Sequence, residues 1–171
     1  MLSTAQHMGE PIAGYIKLEH PVQQRIKQAL EDMMECYLSE APKGIDGCGI
    51  PVLGMMSLTA IARGMAKLAT SDQQALSRQN AIERISKAMA AYSYLIAGKD
   101  RFDTALMQAT KGIVLSKAGA ERVQVAFVPH LGLGIALKID DGARRGADVA
   151  MAAVLQHIGA LEGAVLDAWQ D

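Results

Sequence analysis

The spacing of the apolar residues changes twice along the chain, and this change restricts the possible folds more than any other feature. From about residue 21 to about residue 109 the apolar residues recur mostly with the period of an α-helix, whereas residues 1–18 are weakly patterned. Between about 112 and 139 they alternate with other residues, as in β-strands, and from about 145 the helical period returns. Because the helical and strand blocks are segregated, the pattern predicts an α+β fold rather than α/β.

Within these blocks the pattern predicts a helical N-terminal part, a three-strand antiparallel meander and a C-terminal helix packed on the sheet. A glycine-rich loop over 41–51 separates the first two helices, and short turns near Gly119 and Gly132 connect the strands. The predicted helices cover about 21–39, 53–69, 75–96, 101–109 and 145–158, and the last of them could continue to Trp169. The predicted strands cover 112–117, 123–127 and 133–139.

A three-strand meander has two edge strands, and each leaves a row of backbone N–H and C=O groups unpaired. Neither predicted edge strand carries much charge to protect it. We therefore expect the sheet to be continued or covered by more chain, another subunit or a loop.

The length and composition exclude several classes of protein. A length of 171 residues fits a single domain over 1–171. The net charge is −1 and no basic stripe with aromatic residues is present, so nothing indicates nucleic-acid binding. No apolar run approaches the ~18 residues of a membrane span. Two cysteines, Cys36 and Cys48, are too few for a secreted disulfide framework, which favours a reducing cytoplasm.

The loop Gly44-Ile45-Asp46-Gly47-Cys48-Gly49 contains the densest chemistry in the chain. Its three glycines are typical of backbone that needs a positive φ or a close approach. A thiol at Cys48 and a carboxylate at Asp46 would suit a metal ion or a polarised substrate. The alternative is a structural turn with a small buried cysteine, and the loop alone favours this alternative.

Lys117 stands at the end of a predicted strand, before the Gly119 turn. Partial desolvation between apolar neighbours would make it a usable acid or base. The alternative is an ordinary strand-end lysine that points to water, and Lys117 taken by itself favours this alternative.

Arg101 and Asp103 form a second pair of candidate residues. The Arg101 guanidinium could bind a carboxylate through two hydrogen bonds. Asp103 could take part in a pocket, but capping of the short helix over 101–109 explains it at least as well.

Four sequence blocks occur together in a fixed order, and together they resemble one family. They are Glu19-His20-Pro21-Val22-Gln23, Gly44-Ile45-Asp46-Gly47-Cys48-Gly49-Ile50-Pro51, Gly98 through Asp103-Thr104-Ala105-Leu106-Met107, and Lys117-Ala118-Gly119-Ala120-Glu121. This combination resembles the L-asparaginase II family, the Ser-Lys type whose fold is similar to serine β-lactamases and glutaminases. The resemblance covers the chain from Met1 to about Ile158 and implies a partial fold of that kind.

The resemblance implies an amidohydrolase that converts L-asparagine and water to L-aspartate and ammonia. Members of the family use a Ser-x-x-Lys nucleophile, and they bind zinc through a Cys-Ser-Gly-Lys segment and the cysteine that corresponds to Cys48. The 171 residues contain neither of those two segments. The chain therefore resembles the C-terminal half of a family member, expected to be inactive without a separate N-terminal half.

Roles for individual residues follow from the same resemblance. Lys117 and Asp46 are the expected catalytic residues, and Cys48 is the expected zinc ligand. The expected substrate-binding residues, for L-asparagine or a similar small amide, are Arg101, Asp103 and Glu121. One position departs from the family pattern, because Arg122 occupies a place where a glycine is usual, and a positive φ there would strain the backbone.

Two other functions remain open at this point. The chain could be a non-catalytic remnant or interaction module that forms a homo-oligomer, most simply a dimer, through an open sheet edge. It could also be a small metal-binding or thiol-redox protein that uses Cys48.

Overall fold

A computed structural model of the protein describes residues 1–38, 43–53 and 56–162. The chain divides into two compact units, Met1–Ala60 and Ile61–Asp171, and each is described by itself. The prediction of a single domain over 1–171 stays a prediction. Helices and two antiparallel sheets are both present, and the three-strand sheet follows most of the helices, which confirms the α+β class.

The first unit includes helices α1 (Leu2–His7) and α2 (Pro21–Met34). His20 caps α2, because its Nδ1 accepts a hydrogen bond of 3.2 Å from the backbone N–H of Val22. Pro21 follows at the first helical position, where its missing N–H costs nothing.

The end of α2 differs from the prediction of residue 39. The helix ends at Met34 because Glu35 adopts a left-handed conformation, with φ 49° and ψ 48°. The Leu38 N–H then donates to Glu31 Oε1 over 2.7 Å and ties the following residues back to the helix.

The predicted loop over 41–51 contains a β-hairpin instead. Strands β1 (Lys43–Ile45) and β2 (Pro51–Leu53) pair antiparallel, with Gly44 opposite Val52. Each strand has three residues, too few for alternation to appear in the sequence. The next helix, α3, covers Leu58–Ala69 rather than 53–69, because Leu53 belongs to β2; residues 54 and 55 lie outside the described part.

In the second unit, the predicted helix over 75–96 forms two helices, α4 (Leu76–Ala91) and α5 (Ser93–Ala97). Tyr92 interrupts them with φ −125° and ψ 42°, which is outside the helical region. Helix α6 covers Phe102–Ala109, in agreement with the prediction.

The three-strand antiparallel meander is confirmed. Its strands are β3 (Leu115–Ala118), β4 (Val123–Val128) and β5 (Leu133–Lys138), with β4 in the centre. Helix α7 covers Arg144–His157, close to the predicted range, whereas the possible continuation to Trp169 lies outside the described residues.

Two clusters of buried side chains cover the two faces of this sheet. On one face, Met151 and Leu155 of α7 pack with Ala126 and Val128 of β4, which confirms that the C-terminal helix packs on the sheet. On the other face, Leu115 and Phe127 pack with apolar side chains of α3, α4 and α5. Helix α6 contributes Leu106 to the first cluster and Met107 to the second.

Gly134 sets the distance between α3 and the sheet. A Cβ atom at this position would lie 2.1 Å from the Ala66 nitrogen and 2.2 Å from the Ala62 oxygen, so only glycine fits beneath the helix backbone.

Candidate active site

Asp46 and Cys48 lie at the tip of the β1–β2 hairpin in the first unit. Asp46 Oδ1 accepts hydrogen bonds from the backbone N–H groups of Cys48, at 2.8 Å, and Ile50, at 2.9 Å. The Asp46 backbone also bonds to Gly49 and Ile50. The carboxylate therefore holds the turn in shape, which agrees with the structural alternative for this loop. Asp46 and Cys48 lie in a tight turn rather than in an extended strand, since the Gly49 N–H donates to the Asp46 backbone oxygen.

Cys48 is an exposed free thiol, so the expectation of a buried, inert cysteine is wrong. Its exposure leaves the sulfur accessible to a metal ion or a reagent. Gly49 supports this geometry, because its φ of 76° is a value that other residues rarely adopt.

These donors alone do not fit a zinc site. A closed site takes about four ligands, and an open one about three plus water. The residues that the structure describes contain no group of three or more His, Cys, Asp or Glu side chains that could hold a metal ion. At the hairpin tip, Cys48 supplies one thiol, and one Asp46 oxygen is already used by two N–H groups.

Asp103 lies in the second unit, near the start of α6, and is 3% exposed. Its Oδ1 accepts hydrogen bonds from the Ser116 hydroxyl and from the Gln124 amide, both at 2.5 Å. Its Oδ2 accepts from the backbone N–H of Ala118 at 2.9 Å. Asp103 therefore joins α6 to β3 and β4, and the explanation of this residue as a helix cap is wrong, because Arg101 occupies the cap position.

Lys117 lies in β3 between two of the residues that bond to Asp103. Its side chain is exposed, which agrees with the favoured alternative of a strand-end lysine that points to water and does not support partial desolvation. The Nζ group donates to the backbone oxygen of Ala118. Because side chains alternate along a strand, Lys117 points to the face opposite Ser116 and Ala118.

On that face Lys117 borders an open groove with a volume of about 440 Å³. The groove is lined mainly by Met, Leu and Ile side chains of α3, α4 and α5, together with Val125 and Phe127 of β4. Lys117 is the only charged residue in this lining, within the part of the chain that the structure describes.

Arg101 and Glu121 complete the predicted site residues of the second unit. Arg101 is half-buried immediately before α6, two residues from Asp103. Glu121 is exposed and lies in the turn between β3 and β4, with its Oε2 close to Gly142. Glu121 and Arg122 both have a positive φ, 51° and 52°, which confirms the strain expected where Arg122 replaces a glycine.

The structure thus brings Asp103 and Lys117 into one neighbourhood, with Arg101 at the adjoining helix start, whereas Asp46 and Cys48 belong to the other unit. Sequence reasoning missed Ser116 and Gln124, which are both 1% exposed. A weak signal was available, because Gln124 interrupts the otherwise apolar run from Val123 to Val128.

The comparison with protein families decides which family this is. The model described as L-asparaginase II matches residues 1–171, the whole of the sequence. The chain belongs to the L-asparaginase II family. This confirms the family that the four sequence blocks indicated, and the L-asparaginase II match includes both the hairpin tip and the β3 region. A search of curated proteins finds no match.

Among the described residues, no helix is both long enough and apolar enough to cross a membrane.

Proposed function

We propose that this chain takes part in the hydrolysis of L-asparagine, or of a similar small amide, to the carboxylic acid and ammonia. The observation that carries the proposal is the match of the L-asparaginase II family to residues 1–171. In the balanced reaction, water adds its oxygen to the side-chain carbonyl carbon of asparagine, the carbon–nitrogen bond breaks, and the nitrogen leaves as ammonia.

Within this proposal, Lys117 is the acid, base or charge-stabilising group. Its exposed ammonium at the edge of an open groove is accessible to a polar ligand. Arg101 is suited to the α-carboxylate of asparagine, because a guanidinium can hold both oxygens. Asp46 and Glu121 are proposed to act on the substrate side, Asp46 through its backbone turn and remaining carboxylate oxygen.

The proposal also assigns the chain to the Ser-Lys type of amidohydrolase, with a fold similar to β-lactamases and glutaminases. In that assignment the 171 residues correspond to the C-terminal half of the enzyme. The nucleophile would then come from a Ser-x-x-Lys segment that is not among these 171 residues. Cys48 would contribute one thiolate to a zinc site whose other ligands are carried by the Cys-Ser-Gly-Lys segment, which is likewise not among these 171 residues. We also place the enzyme in a reducing cytoplasm, since Cys36 and Cys48 are both free thiols.

The direct test measures ammonia release from L-asparagine by the 171-residue chain, alone and mixed with a segment that carries Ser-x-x-Lys and Cys-Ser-Gly-Lys. We expect activity only in the mixture, and we expect Lys117→Met to abolish it. Lys111→Met is the matched control, because Lys111 is another exposed lysine of the same unit. A folded, associated mixture that releases no ammonia would contradict the catalytic proposal.

Zinc binding has its own test, because it does not depend on turnover. We expect the mixture to take up one zinc ion per chain, and we expect Cys48→Ser to abolish this uptake. Cys36→Ser is the control, since Cys36 is the other free thiol and lies outside the hairpin. Equal zinc uptake by both variants would remove Cys48 from the site.

A second candidate function is a non-catalytic module that forms homodimers through the sheet. The structure favours β5 as the open edge, because the Ala118 N–H on the outer side of β3 already donates to Asp103. Light scattering on the isolated chain tests this function. A monomer at all concentrations would argue against dimerisation, and a dimer without any amidase activity in the mixture would favour it.

A further inference from the structure

Asp103 has an unusual position for a residue expected to bind substrate. The side chain is 3% exposed, and both carboxylate oxygens accept hydrogen bonds from groups within the second unit. A substrate-binding carboxylate needs an oxygen directed to the ligand. The three donors to Asp103 come instead from β3 and β4.

The hydrogen bonds of Asp103 hold β3 on both sides of Lys117. The Ser116 hydroxyl precedes Lys117 and the Ala118 N–H follows it. The next N–H along the strand, that of Gly119, donates to Val123 and therefore points towards β4. Because neighbouring N–H groups of a strand point to opposite sides, the Ala118 N–H lies on the outer edge of β3, where no further strand of this sheet follows within the described part of the chain.

Gln124 and Ser116 close the network around the carboxylate. The Gln124 amide donates one hydrogen to Asp103 Oδ1 at 2.5 Å and the other to Ser116 Oγ at 2.8 Å. Ser116 accepts from Gln124 and donates to Asp103. Across the described residues, no buried side-chain nitrogen or oxygen is left without a partner. A fully satisfied buried network of this kind holds its members rigidly.

We infer that Asp103 is a positioning residue that acts through β3: together with Ser116 and Gln124 it fixes the backbone on both sides of Lys117. The Lys117 side chain itself is exposed, so its own packing does little to orient it. The direction of its Cα–Cβ bond is set by the strand, and the strand end is held by Asp103. This inference rests on the proposed function, in which Lys117 acts on the substrate.

The first experiment measures local order by NMR and needs no activity. In the wild-type chain we expect slow exchange of the Ala118 amide and an order parameter of about 0.85 for the Lys117 N–H. Asp103→Asn replaces an acceptor oxygen by an NH₂ group that faces a donor. We expect Ala118 exchange to accelerate about tenfold or more, and the Lys117 order parameter to fall towards about 0.6.

Two controls distinguish a loss of order confined to the end of β3 from a general destabilisation of the second unit. Asp148→Asn makes the same chemical change on α7, where the carboxylate pairs with Arg144 at the surface over 3.3 Å, and should leave Ala118 and Lys117 unchanged. Phe127, in the central strand, should keep its order parameter in Asp103→Asn. If that variant does not fold, Ser116→Ala is assessed by the same criteria.

The second experiment uses the mixture that hydrolyses asparagine. A positioning role predicts that Asp103→Asn lowers kcat about 10- to 100-fold while KM changes less than about twofold. A rise in KM with unchanged kcat would overturn the inference and make Asp103 a substrate-binding residue. An unchanged Lys117 order parameter in the folded variant would also overturn it. If no form hydrolyses asparagine, the proposed function fails, and the NMR result still decides whether Asp103 positions Lys117.

Discussion

Gly134→Ala tests the packing of α3 on the sheet most directly. A Cβ at this position would lie 2.1 Å from the Ala66 nitrogen, 2.2 Å from the Ala62 oxygen and 2.6 Å from the Met65 carbonyl carbon. Ordinary contact begins at 3.4 Å, so the helix would have to move by at least 1.3 Å, the difference between 3.4 and 2.1 Å. All three atoms are backbone atoms, which cannot rotate away as a side chain can.

The free-energy cost follows from this geometry. Overpacking of a dense interior costs about 1–3 kcal/mol, and a backbone displacement of this size falls at the upper end. Replacing glycine also returns about 0.5–1 kcal/mol, because the unfolded chain loses conformational freedom. We therefore expect Gly134→Ala to lower the free energy of unfolding by about 2 kcal/mol.

Urea denaturation followed by circular dichroism measures this change, with the slope m compared between variants. Gly146→Ala is the matched control, because Gly146 lies inside helix α7 and a Cβ there would lie 3.4 Å from the Ile139 side chain, at ordinary contact distance. We expect this control to be stabilised by about 0.5–1 kcal/mol, as alanine is the better helix former. Equal or higher stability of Gly134→Ala would refute the close approach of α3 to β5.

Three further substitutions test other features of the structure. Arg122→Gly should raise the free energy of unfolding by about 0.5 kcal/mol, because glycine relieves the strained φ of 52° but also makes the unfolded chain more flexible. Arg122→Ala keeps the strained φ and should show no gain in the same urea assay. Thr104→Val should lower the free energy of unfolding by about 1–2 kcal/mol, because it removes a 2.7 Å hydrogen bond from a buried hydroxyl to a backbone carbonyl, and an unchanged midpoint would contradict this. The Leu38 N–H, and after it Lys27, hold the pKa of the Glu31 carboxyl below its ordinary value of 4.5. The Glu31 carboxylate therefore contributes to stability above pH 4.5, and this contribution is lost as the pH falls through the lowered pKa. Urea midpoints measured on the acid side should fall less steeply with pH in Glu31→Gln than in the wild type, and parallel curves would count against the interaction.

The helices and the meander could be predicted because their signals are local. The alternation along β4 and β5 and the helical spacing in α6 and α7 depend on residues that are neighbours in sequence. The boundaries were less predictable. Helix α2 ends at Met34 because of the left-handed Glu35, and the sequence contains no glycine there to mark such an end.

The candidate site, too, could be predicted only in part from the sequence. The residue types at Cys48, Asp103 and Lys117 were recognisable from the motifs that carry them, and the family they indicated is the one whose model matches the chain. The partners of Asp103 were not recognisable. They lie 13, 15 and 21 residues further along the chain, and only the packing of α6 against the edge of β3 brings them together.

By itself, then, the sequence determined the α+β class, the three-strand meander followed by a helix, and the family, because periodicity and motifs are carried by the chain directly. Only the tertiary structure decided what the conspicuous residues do. Asp46 shapes a turn, Lys117 is exposed beside a groove, and Asp103 is buried in a network with Ser116 and Gln124. The physical reason is that burial and hydrogen bonding depend on which distant segments meet, and residue type does not specify that meeting.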